Sequence, residues 1–235
     1  MKLLTLPLLL VSGLATASDC KHEDNRELTP DLDGIRLVRF EVTSHDLRVD
    51  GVAGDAATSM RVRACASDPD YLPQLVTDTS RSGDTLLVRI ERKGRSSGIF
   101  FNANYAYMEV EARLPAGLAY EIDLGSGDAH INGVASLSAE VGSGDLEVRG
   151  VAGPVTAKVG SGDLDASRIR GDVDVGSVGS GDVTLDGVGG NVRVGRIGSG
   201  DLDVDDVAGD LDVEQLGSGD VDHGRVRGKV SVPKD

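Results

Sequence analysis

Gly198-Ser199-Gly200-Asp201-Leu202-Asp203-Val204-Asp205-Asp206-Val207-Ala208-Gly209-Asp210-Leu211-Asp212-Val213-Glu214-Gln215-Leu216 is one unit of the repeat that decides how this chain folds. Its opening tetrapeptide, Gly-Ser-Gly-Asp, occurs six times, beginning at Gly125, Gly142, Gly160, Gly179, Gly198 and Gly217, so that successive starts lie 17, 18, 19, 19 and 19 positions apart. A period this regular is the signature of a solenoid in which each unit is one coil.

Counting from the aspartate as zero, positions 1, 3, 6, 10 and 12 are mostly apolar, and another apolar residue precedes the next Gly-Ser. Leu202, Val204, Val207, Leu211, Val213 and Leu216 fill these places in the unit quoted, and Val183, Leu185, Val188, Val192, Val194 and Ile197 in the one before. Acidic residues lie between them and have no place in a core. Alternation over three to five residues means short strands with one face inward.

The alternation breaks between positions 3 and 6, between position 12 and the last apolar residue, and at Gly-Asp. Three breaks predict a roughly three-sided coil. Identical units running one way stack as parallel strands, each coil about 4.8 Å above the last. Right-handed crossovers are the default for such strands. Glycine frequency and β-branched residues argue against helices. All seven aromatics precede residue 121, as a narrow interior filled by Val, Leu and Ala requires. The fold class expected is therefore all-β, a single parallel β-solenoid (β-helix) of about 17–19 residues per coil with an irregular N-terminal cap.

The pattern is present earlier in weaker form. Residues 46–55 match 201–210 at eight of ten positions, so the solenoid is expected to begin near residue 35. Ser82-Gly83-Asp84 and the strand after it read as a further coil, with 55–84 and 92–106 as longer excursions. Residues 1–17 read as a signal peptide: Lys2, an apolar run from Leu3 to Leu14, and the small-residue site Ala15-Thr16-Ala17. The divisions expected are thus 1–17 signal peptide, 18–34 N-terminal extension, 35–124 irregular coils and cap, and 125–235 regular repeats. The apolar run is shorter than the roughly 20 residues a bilayer requires, and no membrane span is expected.

Removing the leader leaves 23 basic and 39 acidic residues, a formal charge of −16, of which residues 121–235 carry −12. That balance argues against nucleic acid and anionic lipid as partners, since both reward basic patches. Cys20 and Cys65, the two cysteines, are expected to form a disulfide in an oxidising compartment. A lipid anchor on Cys20 is the rival reading; it calls for a small residue before the cysteine, where this chain has Asp19.

Val110-Glu111-Ala112-Arg113-Leu114-Pro115-Ala116-Gly117-Leu118 and Glu121-Ile122-Asp123-Leu124-Gly125-Ser126-Gly127-Asp128, followed by iterated Ser-Gly-Asp coils, resemble the bacterial putative-adhesin β-strand-repeat family. The resemblance covers roughly residues 35–235. It implies an exported parallel β-solenoid of the periplasm or cell surface, associated with adhesion or the envelope, and supplies no catalytic residues.

Two clusters of side chains are candidate sites. Asp128, Asp145, Asp163, Asp182, Asp201 and Asp220 form a column if the coils stack in register, and each adjacent carboxylate pair then repels by about 0.9 kcal/mol at water's dielectric. Calcium would relieve that repulsion, as in Gly-Asp loops of other β-helices. The structural alternative is that each carboxylate accepts N–H groups at its own bend. Arg89, Arg92, Lys93 and Arg95, followed by Phe100, Phe101, Tyr105 and Tyr107, form the second cluster, either a patch for a sugar polymer or anionic envelope component or simply the cover of the solenoid's end.

Catalysis has little footing. His22, His45, His130 and His223 are scattered, and the carboxylates recur too uniformly to single out an acid–base pair. The sequence reads as a non-enzymatic, adhesin-like or envelope-associated protein with no cofactor. Its alternatives are a calcium-responsive structural repeat and a polysaccharide-active enzyme. An envelope component or extracellular polymer is the expected partner, and self-association through the end at Val230–Asp235 is a further expectation.

Overall fold

The computed structural model describes residues 20–54, 57–94 and 104–233. The leader reading of 1–17 lies outside them, as do Arg95, Phe100 and Phe101. The chain enters as β1 (His22–Leu28), followed by β2 (Leu37–Val42), β3 (Asp46–Val52) and β4 (Ser59–Ala66). A 3-10 helix, Pro69–Gln74, leads to β5 (Leu75–Ser82), β6 (Thr85–Arg92), β7 (Ala106–Pro115), β8 (Ala119–Leu124) and β9 (Ala129–Asn132). The repeats then contribute strand pairs: β10 (Ser136–Val141) and β11 (Leu146–Arg149), β12 (Val155–Val159) and β13 (Leu164–Ile169), β14 (Val173–Val178) and β15 (Val183–Val188). They close with β16 (Val192–Ile197) and β17 (Leu202–Val207), β18 (Leu211–Leu216) and β19 (Val221–His223), and the short β20 (Val230–Ser231).

These strands form two ten-stranded sheets. One runs β1-β4-β7-β3-β9-β11-β13-β15-β17-β19, the other β20-β18-β16-β14-β12-β10-β8-β2-β6-β5. From β8 onward the chain alternates between them, every pairing is parallel, and Leu146, Leu164, Val183, Leu202 and Val221 lie in one register column. The parallel β-solenoid is thus the fold.

The coil has two sheets rather than the three sides expected. The break between positions 3 and 6 is not a corner between faces but a left-handed residue at position 5: Gly133, Gly150, Arg168, Gly187, Asp206 and Arg225 have φ of 71°, 70°, 55°, 72°, 52° and 28°. One left-handed residue turns two successive side chains outward and returns position 6 to the core. Ile169, Val188 and Val207 are buried in consequence.

Coil length steps up at two identifiable places. Two residues, Ala135 and Ser136, separate Val134 from Leu137, and three, Ala152, Gly153 and Pro154, separate Val151 from Val155. The second step is a bulge: Ala157 pairs with Val175 but Lys158 with Ser177, so Gly176 is the extra residue. From residue 160 the period stays at 19.

Before residue 125, order along the chain and order in space part company. β2 and β3 form a coil that pairs with β8 and β9 on one side and with β6 and β7 on the other. The coil made of β6 and β7 therefore stacks beneath its predecessor. Its Ser82-Gly83-Asp84 is no coil corner: β5 and β6 are an antiparallel hairpin with Ser82 opposite Thr85, turning at Gly83, whose φ is 62°. β4 is antiparallel to β7, β1 antiparallel to β4, and Cys20–Cys65 ties these last two with Cα atoms 5.7 Å apart. One continuous core results, aliphatic in the repeats and holding Phe40, Met60, Met108 and Tyr120 at the N-terminal end.

Candidate functional site

The Gly-Ser-Gly-Asp corner is where stacking is tightest. None of its glycines has left-handed φ, so the motif does not need glycine for the turn. It needs glycine because there is no room for a Cβ. A Cβ on the second glycine (Gly144, Gly162, Gly181, Gly200 or Gly219) would overlap the carbonyl oxygen of the equivalent glycine one coil below. The first glycine is nearly as confined, with a Cβ on Gly142 or Gly160 meeting a carbonyl oxygen at 2.6 Å.

The aspartate that follows is a rung in a ladder. Asp163, Asp182, Asp201 and Asp220 donate their backbone N–H to the Oδ1 of Asp145, Asp163, Asp182 and Asp201 at 3.1, 2.8, 2.9 and 2.8 Å. Asp128 and Asp145 continue the series at 3.3 and 3.4 Å, to Asp46 and Asp128. The carboxylates thus serve the next coil and not their own bend, correcting the expected arrangement. A charged acceptor for a backbone donor is the stronger kind of hydrogen bond, and it offsets the repulsion between rungs.

A second ladder, at position 9, had a signal that the sequence reading passed over: Gly171-Asp172, Gly190-Asn191 and Gly209-Asp210 recur with the period of the coil. Asn191 N–H donates to Asp172 Oδ1 at 2.7 Å, Asp210 N–H to Asn191 Oδ1 at 2.9 Å and Lys229 N–H to Asp210 Oδ1 at 2.7 Å. Asn191 performs the same job without a charge, so the role is that of an acceptor. Among the described residues no three His, Cys, Asp or Glu side chains converge as a metal site would require.

Thr43-Ser44-His45-Asp46 is a further copy of the corner, with His45 in the place of the second glycine. Here the strand below is β7, and the His45 Nδ1 accepts the Met108 N–H at 3.3 Å. Its Nε2 is buried and, among the described residues, has no hydrogen-bond partner. Burial, with a smaller effect of the Arg92 charge, holds the imidazole neutral down to a pKa of about 4.

The described residues of the basic and aromatic cluster are divided between the two sheets. Arg89 and Arg92 lie on β6 in one sheet and Tyr107 on β7 in the other. Arg89 bonds Glu41 at 2.7 Å, Lys93 bonds Asp78 at 2.6 Å, and these partners hold both cations more firmly protonated. Arg92 reaches Gln74 Oε1 and stands 4.8 Å from the Tyr71 ring centre. The Tyr105 hydroxyl accepts the Lys21 N–H at 3.0 Å, and its ring lies 6.1 Å from that of Tyr107. These contacts fasten the N-terminal strands to one another.

The outer face of the β9–β19 sheet changes character along its length. On β9 and β11, His130 Nδ1 lies 2.8 Å from Glu147 and Arg149 also pairs with Glu147. The His130 hydrogen bond, aided by the Arg149 charge, keeps this carboxyl below the usual range. From β13 onward the outward residues are mostly acidic, Asp165, Asp186, Asp203, Asp205, Asp206 and Asp222, with Ser167, Arg168, Thr184 and His223 among them. Among the described residues no helix is long and apolar enough to cross a membrane.

None of the curated proteins matches the chain. Solved structures similar to it include a putative adhesin from Bacteroides fragilis, 14% identical with a TM-score of 0.47 over 90% of this chain and 97% of that one. A putative adhesin from Parabacteroides distasonis is 14% identical with a TM-score of 0.45, over 89% and 96%. A putative lipid binding protein from the same species is 18% identical with a TM-score of 0.45, over 90% and 98%. Residues 35–233, which contain every coil described above, match the Toastrack DUF4097 family, and the chain belongs to it.

Proposed function

We propose that this chain is a non-enzymatic, exported β-solenoid that works as an adhesin-like binding protein of the cell envelope. The observation that carries this reading is the division of chemistry between inside and outside. The interior of the repeats is aliphatic, whereas the outward positions form columns of charged and polar side chains in register at about 4.8 Å. A rigid periodic surface of that kind suits recognition of an extended partner. The Cys20–Cys65 disulfide supports an oxidising compartment such as the periplasm or cell exterior.

Calcium-dependent function has less support, since the Oδ1 atoms of both ladders already accept backbone N–H groups. A polysaccharide-active enzyme has less still, because the carboxylates repeat without a distinguished pair. Retention tests the proposal: the mature protein, incubated with isolated bacterial envelopes and with cytosolic extract, should sediment with the envelopes alone. Equal recovery from both would overturn it.

A further inference from the structure

Position 5 of each coil is left-handed, and position 7 follows two residues later, where the chain leaves for the other sheet. Reading the two positions up the stack gives Gly133 and Ala135, Gly150 and Ala152, Arg168 and Arg170, Gly187 and Gly189, Asp206 and Ala208, then Arg225 and Arg227. Glycine is the relaxed choice at position 5. A side chain there carries a strain of about 1 kcal/mol, and such residues concentrate where a site needs them.

The two Arg-x-Arg pairs are not equivalent. Arg225 and Arg227 stand above Asp205 and Asp206 and pair with them at 2.6 and 3.8 Å. Arg168 and Arg170 have Gly150 and Ala152 below them and Gly187 and Gly189 above. Both are exposed, and among the described residues their side chains make no ion pair or hydrogen bond. The same chemistry is consumed internally at one height of the stack and left open at another.

The open pair stands at the wall of a recess of about 430 Å³, floored by Gly133–Val134 and Gly150–Ala152. That floor has no side chain longer than valine, and Val134 and Val151 point into the core. A ring-sized body can lie flat on it. Arg168 also rims the adjoining depression, where Arg48, Asp50, His130, Asn132, Glu147 and Arg149 are paired with one another.

We infer that Arg168 and Arg170 form a binding site for an acidic saccharide, whose carboxylate or sulfate oxyanion the two guanidiniums hold while the ring rests on the glycine–alanine floor. Two guanidiniums suit oxyanions because their planar forks donate in pairs. The protein's overall negative charge limits the ligand. Beyond roughly 8 Å that field is screened at physiological salt, so a short oligomer with one or two charges is admitted, whereas a long polyanion would lie along the aspartates of β15 and β17. The site rests on the reading of the protein as an exported binding module and gives that module its ligand class.

The test is calorimetric titration of the mature protein with a glucose trimer ending in a single glucuronate, a singly sulfated glucose trimer and plain glucose trimer. At least one of the charged trimers should bind and the plain one should not; the tighter of the two identifies the oxyanion. R168G/R170A should weaken binding at least tenfold. Glycine relaxes position 5, so this variant should keep its thermal midpoint. R225A/R227A should stay within twofold of wild type. Failure of both charged trimers to bind, undiminished binding by R168G/R170A, or equal loss in R225A/R227A would each overturn the assignment. Envelope retention that survives in R168G/R170A, together with failed titration, would remove this site and leave the envelope reading standing.

Discussion

From residue 125 to residue 223 each coil is held to the next by one local rule: a glycine with no space for a Cβ, a carboxylate or amide oxygen aimed at the next coil's N–H, and aliphatic side chains in register. Before residue 125 the strands are held by contacts that occur once each. β1 and β4 share a disulfide, Arg63 on β4 bonds Glu23 on β1 and Glu109 on β7 at 3.3 and 2.9 Å, and Tyr120 donates its hydroxyl proton to the Pro115 carbonyl at 2.9 Å. The repeats use position and the N-terminal region uses identity. Tolerance to substitution should follow that line, with backbone space deciding in one region and particular side chains in the other.

The largest effect should come from crowding a repeat glycine. G181A places a methyl group on the Gly162 carbonyl, and relief would require separating two coils along both sheets. A loss above about 4 kcal/mol is expected in urea unfolding, toward the extreme of single substitutions. Gly117, in the β7–β8 connection, has open space around the same position, and G117A should change stability by less than about 0.5 kcal/mol. Comparable losses in the two would erase the distinction drawn between the regions.

A pH-dependent effect should belong to the N-terminal region. In the unfolded chain His45 takes up a proton near pH 6.5, while in the fold burial, and then the Arg92 charge, delay this to about 4. Between those values the unfolded state binds a proton that the folded state does not. Stability is therefore complete above pH 6.5 and falls as the pH drops toward 4, by about 3 kcal/mol. H45N, which keeps an acceptor for the Met108 N–H, should lose this increment, seen as the difference between variant and wild-type unfolding curves at pH 7.5, 5.5 and 4. Parallel curves would show that His45 titrates alike in both states.

The smallest effect should come from the ladder. D182N keeps the oxygen that Asp201 N–H uses and removes repulsion from Asp163 and Asp201, so stability should hold or rise by a few tenths of a kcal/mol. D182A leaves that N–H without its acceptor and should lower stability by about 1 kcal/mol. A D182N loss as large as that of D182A would mean that the negative charge itself, and not the acceptor, holds the coils.

The repeats were legible because each residue's environment recurs at a fixed interval. Leu202, Val204 and Val207 announce their inward direction, and the parity they keep names the strands. Parity is silent on how it is broken: a left-handed Asp206 inside a strand and a corner between two faces produce the same outward pair. The ladder had a similar limit, since a carboxylate that returns once per coil does not reveal whose N–H it accepts. Gly171-Asp172, Gly190-Asn191 and Gly209-Asp210 did carry a signal of the second ladder. In the N-terminal region, neighbours in sequence were a poor guide to neighbours in space. Arg92 and Tyr107 flank one connection yet belong to opposite sheets, and Ser82-Gly83-Asp84 spells a coil corner while folding as a hairpin. Nothing local says that β6 and β7 stack beneath the coil before them while β8 and β9 take its other edge.

The constancy of the period after residue 160 makes length an adjustable property of this protein. Excising residues 179–197 would bring the Asp201 N–H to Asp163 Oδ1 and the Asp210 N–H to Asp172 Oδ1, the same partners in kind that each has now. A coil copied in would likewise find its corners waiting, moving the C-terminal end outward by about 4.8 Å. The stepwise lengthening of the earlier coils confines such exchange to the far part of the stack. The protein is in this sense a spacer of settable reach, mounted on a base whose dimensions are fixed.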